Sequence, residues 1–238
     1  MTKGMEKAVR HLDLPDSLEL YTYTAPEPSP ASINDDNDMK LSAEVVVSDL
    51  AKHNHADQYD AILVACYSVH PLVEELSHLH PNIIVMGIFE ASVLSSSSLM
   101  KPYGESWGIV TTGKFWEDHL TKGVLAYSGQ QEHEPGNAKF AGVFSTGLNA
   151  GDFHGDIPPE FIRDKLREAT GKLLSKSRVS CVVMGCAGMA GLEEIIRSTA
   201  VEKFGEEKGN SLYVIDGVKA GVGLVLEALR SKRLFQGH

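Results

Sequence analysis

Two stretches of this chain follow one template, and a chain that repeats a βαβ unit has few folds open to it. "AILVACYSVHPLVEEL…NIIVMGIFEA" and "SCVVMGCAGMAGLEEI…LYVIDGVKA" each begin with an apolar run that ends in a cysteine, Cys66 or Cys186. Each has a small residue two positions later (Ser68, Gly188) and a leucine six positions after the cysteine (Leu72, Leu192). A glutamate pair comes next, then a second apolar run that ends before an alanine (Ala91, Ala220). Short apolar runs alternating with helical periodicity mean parallel strands joined by crossover helices. Repetition of the unit predicts a pseudo-twofold fold with Cys66 and Cys186 at equivalent strand ends. Ligands of open α/β sheets sit at the carboxyl ends of strands, so the two thiols are expected to face one cleft.

The rest of the chain extends the pattern. "LELYTYTA" at 18–25 alternates like a strand, and "PEPSPASINDDND" reads as the most loop-like stretch of the chain. Helices are predicted over about 39–53, over "PLVEELSHL", near 91–100, through "WEDHLTKGVLAYS", through "PPEFIRDKLREATGKLLSKS", through "GLEEIIRSTAVEKF" and through "VGLVLEALRSK". Strands are predicted at "AILVAC", "NIIVMGI", "WGIVTT", "FAGVFST", "VSCVVMG" and "LYVID". The expected fold class is α/β: two pseudo-symmetric βα lobes with largely parallel sheets and the active site in the cleft between them. One unit covers 1–238, with lobe A at about 1–100 and 205–238 and lobe B at about 101–204.

Composition narrows the function. A chain of 238 residues buries a large core, and a net charge of −10 argues against a nucleic-acid partner, which needs a basic surface. No apolar run approaches a bilayer-spanning length, and "MTKGMEKAVRHL" is neither a signal nor a transit peptide, so a cytoplasmic location is expected. Three cysteines give no disulfide framework; any special cysteine acts as a thiol.

"VVMGCAGMAG" at 182–191 poses the central choice between a phosphate loop and a turn that presents a thiol. It comes after a strand and opens a helix, as a dinucleotide fingerprint does, but its spacing is GxxGxxG and Asp216 lies 31 residues after Gly185, too late for a ribose acid. The thiol reading is favoured. A free cysteine is often a small buried hydrophobe, but two at matched positions, each at a strand-to-helix turn, are not random packing. A helix N-terminus favours the thiolate. A phosphatase loop is excluded, because Leu72 and Leu192 stand where its arginine would be. Cys181, five positions before Cys186, points to the other face of the strand and reads as packing. "HNH" at 53–55, "HLH" at 78–80 and "DFHGD" around His154 have no partner cluster at metal-site spacing, so no metal is expected. "TTG" at 111–113 ends a strand on the same sheet edge, where its hydroxyls and amides suit a substrate carbonyl.

"VACYSVHPLVEEL" and "VVMGCAGMAGLEE", with "GIFEAS" and "GIVTTG" between them, resemble the hydantoin/allantoin racemases of the aspartate/glutamate racemase superfamily over most of the chain. The resemblance implies cofactor-free racemisation of a cyclic ureide, allantoin or a 5-substituted hydantoin, with Cys66 and Cys186 as the acid/base thiols. It implies substrate contacts at Tyr67, Ser68, Phe89, Glu90, Thr111, Thr112, Ala187 and Gly188, a small-molecule substrate as partner, and a homo-oligomer. Other two-cysteine members, an amino-acid racemase or a maleate-type isomerase, remain open, as does a catalytically silent binding protein. The chain departs from the family at Val69-His70-Pro71, where many members read Asp-Pro-Gly. Family members usually begin with a strand that ends in Asn-Pro-Asn, and "MTKGMEKAV" resembles the segment just beyond that loop. An initial helix, no such strand and an incomplete pocket wall are therefore expected.

Overall fold

Short apolar runs form strands here because parallel strands joined by crossover helices cover most of their side chains. The structure, a computed structural model, describes residues 2–10, 12–53, 56–130, 137–176 and 178–236. In chain order its elements are α1 (Thr2–Val9), α2 (Asp36–His53), β1 (Ala61–Val64), α3 (Pro71–Leu79), β2 (Ile84–Gly87) and α4 (Ile88–Leu99). Then come β3 (Ser106–Thr111), α5 (Phe115–Tyr127), β4 (Phe140–Ser145), α6 (Pro159–Leu174), β5 (Val179–Gly185) and α7 (Glu193–Phe204). The short α8 (Glu206–Asn210), β6 (Tyr213–Asp216) and α9 (Gly217–Phe235) complete the series.

The fold is α/β with parallel sheets, as expected. β1 and β2 form a two-stranded sheet, and a four-stranded sheet has the order β4-β3-β5-β6; every pair is parallel. Parallel neighbours require a crossover. α3 supplies it for β1 and β2, α5 for β3 and β4, and α7 with α8 for β5 and β6.

Strand periodicity divides the core. Trp107 and Ile109 of β3, with Cys181 and Val183 of β5, face a core shared with Phe89 and Val93 of α4, Leu120 and Val124 of α5 and Val222 of α9. Val110, Val182 and Met184 face the opposite side, against Leu166 and Leu173 of α6 and Ile196 of α7. Ala43 and Val46 of α2 pack on Val64, Leu72 and Leu76. α9 joins the lobes: it packs on α4 and touches β1, β2, β5 and β6. Gly221 permits this approach, since a Cβ there would lie 2.7 Å from Leu63 Cδ1.

One expectation is corrected. Residues 18–25 are not a strand, and Leu20, Tyr21 and Tyr23 are exposed. Their alternation favours an extended chain, but a strand needs a neighbouring ladder, and among the described residues none pairs with them. β6 hydrogen-bonds to β5 at the edge of the four-stranded sheet, and α9 follows it directly. The initial helix is present as α1. The loop before α2 is held by Asp35, whose Oδ1 accepts from the Asn37 and Asp38 amides at 2.8 and 3.0 Å. Of "HNH", His53 ends α2, while 54–55 lie outside the described residues, as does the His154 side chain. Among the described residues no helix is long and apolar enough to cross a membrane.

Candidate active site

Cys66 stands two residues beyond the end of β1, in the turn that leads to α3. Its Sγ lies 3.4 Å from Ser68 Oγ, and the Ser68 amide donates to the Cys66 carbonyl at 3.1 Å, closing a tight turn. His70 then caps α3, with Pro71 in the first helical position, where its missing N–H costs nothing. His70 Nδ1 accepts the Leu72 N–H at 3.2 Å, which places the imidazole proton on Nε2. Burial pushes this imidazole down to about 4, so it is neutral at physiological pH.

Cys186 stands at the matching end of β5 and opens a single 3₁₀ turn, Ala187–Met189. Its Sγ accepts the Gly188 N–H at 3.3 Å. The strand end is fixed sideways by Thr111, whose Oγ1 donates to the Gly185 carbonyl at 2.8 Å. The loop after β4 is tied on in turn: the Thr146 and Gly147 amides donate to the Thr111 and Thr112 carbonyls at 2.8 and 3.0 Å.

Both sulfurs are free thiols. Burial pushes Cys66 up to about 11, against the lowering effect of Ser68. Burial pushes Cys186 up to about 12, against the Gly188 and Met189 amides. The expectation that the turns favour the thiolate is therefore corrected: desolvation outweighs the donors, and both groups hold their protons at neutral pH. An ionised Cys66 adds to the rise at Cys186. Cys181 is fully buried in the inter-sheet core, as a packing residue is.

The remaining candidates separate into surroundings and support. Ser68 and Thr111 are completely buried, and Thr112, Ala187 and Gly188 are buried. The Tyr67 and Phe89 rings turn into the core and meet edge to face, 5.8 Å apart at 86°. What the first turn offers at position 67 is backbone. Glu90 lies in the first turn of α4 and folds over Gly87, in space that a side chain at 87 would need. Its Oε2 is buried with no hydrogen-bond partner among the described residues, and burial raises its carboxyl. Among the described residues no three His, Cys, Asp or Glu side chains gather as a metal site requires.

The structure gives two further residues a helix-capping role that sequence pattern alone does not. His70 reads in the sequence as a departure from a motif, although a polar residue directly before a helix-opening proline is a capping signal. Asp216 reads as a misplaced ribose acid; it caps α9, its Oδ1 accepting from Val218 and Lys219 while Oδ2 is buried with no partner among the described residues.

The sequence pattern of the Asp/Glu/hydantoin racemases matches residues 1–225. The chain belongs to that family. Within it, the chain is 31% identical over 217 residues to "Uncharacterized protein C1F7.10" of Schizosaccharomyces pombe, a match spanning 91% of this chain and 82% of the relative. Its fold is similar to that of allantoin racemase from Pseudomonas fluorescens, with a TM-score of 0.75 at 22% identity over 97% of this chain and 86% of the other. Allantoin racemase from Klebsiella pneumoniae gives a TM-score of 0.72 at 19% identity, covering 97% and 82%. Family membership and a shared fold fit the repeat seen in the sequence: each unit carries a strand-end cysteine and a turn donor two residues on.

Proposed function

We propose that this protein is a cofactor-independent racemase of a five-membered cyclic ureide, allantoin or a 5-substituted hydantoin. The observation that carries the reading is the pair Cys66 and Cys186: two free thiols just beyond the ends of β1 and β5, each hydrogen-bonded by the residue two positions later. One thiolate removes the proton from the ring carbon beside the carbonyl, and the electron pair moves onto the carbonyl oxygen as an enolate. The opposite thiol returns a proton to the other face. The first sulfur ends as a thiol and the second as a thiolate, so proton and charge balance and the roles are exchanged. Turn amides are suited to stabilising the enolate oxygen. A neutral ring suits the site: the hydrogen-bonding groups at the sulfurs are uncharged.

Polarimetry of pure enantiomers of allantoin and of 5-substituted hydantoins, corrected for spontaneous racemisation, tests the proposal. Turnover that is lost in Cys66→Ser and Cys186→Ser supports it. Binding without turnover identifies a silent binding protein and sinks it.

A further inference from the structure

The two thiols are held by donors of different chemistry at the same place in the repeat. At Cys186 the donor is the Gly188 backbone N–H; at Cys66 it is the Ser68 side-chain hydroxyl. Ser68 is 0% exposed, and among the described residues the Cys66 sulfur is the only hydrogen-bond partner of its hydroxyl. A fully buried hydroxyl with one partner is there for that partner. We infer that Ser68 is a positioning residue that sets the proton affinity and orientation of Cys66, and that this makes the two halves of the site chemically unequal. The inference rests on the racemase reading for its consequence, though not for its first test.

The inequality comes from hydrogen-bond inventory. A backbone N–H only donates, so the Gly188 amide favours the Cys186 thiolate alone. A hydroxyl donates to a thiolate and accepts from a thiol, so Ser68 keeps its bond to Cys66 in both protonation states by rotating its own proton. Cys66 is thus held in place throughout the proton's arrival and departure, whereas Cys186 gains its bond most strongly when ionised. A side-chain substitution at 68 removes the donor from Cys66. None at 188 removes the amide from Cys186.

The test is alkylation of Cys66 by iodoacetamide as a function of pH, read by mass spectrometry of its peptide in a Cys186→Ser background. This readout needs no turnover. Ser68→Ala is expected to move the profile to higher pH, so that alkylation at a fixed pH below it falls about tenfold, and Ser68→Thr, which keeps the hydroxyl, is expected to leave it in place. Ser68→Gly repeats the removal with the residue that the second unit carries at this position, should the alanine variant not fold. An unchanged profile in the hydroxyl-free variants overturns the inference, and so does a threonine variant displaced as far as alanine. With Cys186 present, Ser68→Ala is expected to slow proton exchange of the enantiomer served by Cys66 and spare the other; equal slowing of both overturns it. Absence of any exchange by the unsubstituted protein overturns the racemase reading instead, and leaves the alkylation profile to decide Ser68.

Discussion

Thr111 Oγ1 donates to the carbonyl of Gly185 at 2.8 Å, tying the end of β3 to the end of β5 directly before Cys186. The two residues also touch closely: a Cβ on Gly185 would lie 3.0 Å from Thr111 Cβ and 2.6 Å from Ile109 Cγ2. Glycine at 185 is therefore demanded by packing, and the hydroxyl at 111 by a buried carbonyl. Thr111→Val is expected to cost about 1 kcal/mol, the net worth of one hydrogen bond. Gly185→Ala is expected to cost about 1–3 kcal/mol through overpacking. Urea denaturation checks both: the midpoints should fall with the slope unchanged, and a Gly185→Ala midpoint equal to that of the unsubstituted protein would contradict the close approach.

The pH dependence of turnover is set by desolvation. The reaction needs one thiolate and one thiol, and burial pushes Cys66 up to about 11 and Cys186 up to about 12. A raised value means that the proton is held, so raising the pH creates the active form. At pH 7 only about 10⁻⁴ of Cys66 is ionised, and kcat/KM is expected to climb about tenfold per pH unit from 7 towards 10. Initial rates over pH 7–10, corrected for base-catalysed racemisation of the substrate, give the answer. A flat profile would mean that the thiolate exists already in the free protein.

His70 links stability to acid pH. Its folded-state value of about 4 lies below the ordinary 6.5, so the native protein binds this proton less readily than the unfolded chain does. The stabilisation is fully present above pH 6.5 and is lost as the pH falls from there to about 4, a change on the order of 3 kcal/mol. His70→Asn retains an acceptor for the Leu72 amide but does not titrate. Urea midpoints measured between pH 7.5 and 4.5 should decline less for this variant than for the unsubstituted protein; parallel declines would remove His70 as the cause.

What is legible in the sequence is what local pattern controls. α3 spans Pro71–Leu79, the full length of its predicted helix, because a histidine cap, a proline at the first position and helical spacing all act within a few residues. The cysteines at strand ends are legible because the repeat fixes position without any knowledge of packing. The stretch at 18–25 misleads because pairing is a property of two segments, and the alternation of one says nothing about the other. The pairing of β6 with β5 is illegible for a related reason: a repeat template does not specify which sheet edge the last strand joins. Tyr67 and Phe89 neighbour the site in sequence, yet their rings pack into the core, and backbone adjacency does not determine side-chain direction. The thiol acidities run opposite to the expectation because a helix start is visible in sequence, whereas depth of burial is a sum over distant residues.

One thiol per face makes the two cysteine variants distinguishable. Cys66→Ser is expected to abolish full racemisation, since a serine hydroxyl is far too weak an acid to replace the thiol. Cys186 remains on its own face, with the Gly188 amide still on its sulfur, and it can still remove and return a proton there. In heavy water, Cys66→Ser should therefore exchange the ring hydrogen of one enantiomer only, without inverting it, and Cys186→Ser should exchange that of the other. The loss of racemisation should be about 10²–10⁴-fold for each, the usual worth of a positioned acid or base. Proton NMR of each pure enantiomer with each variant, against a protein-free blank, reads both quantities. Equal exchange of both enantiomers by a single variant would argue against one thiol per face. Full activity in either variant would remove that cysteine from the chemistry and leave it, like Cys181, as a packing residue.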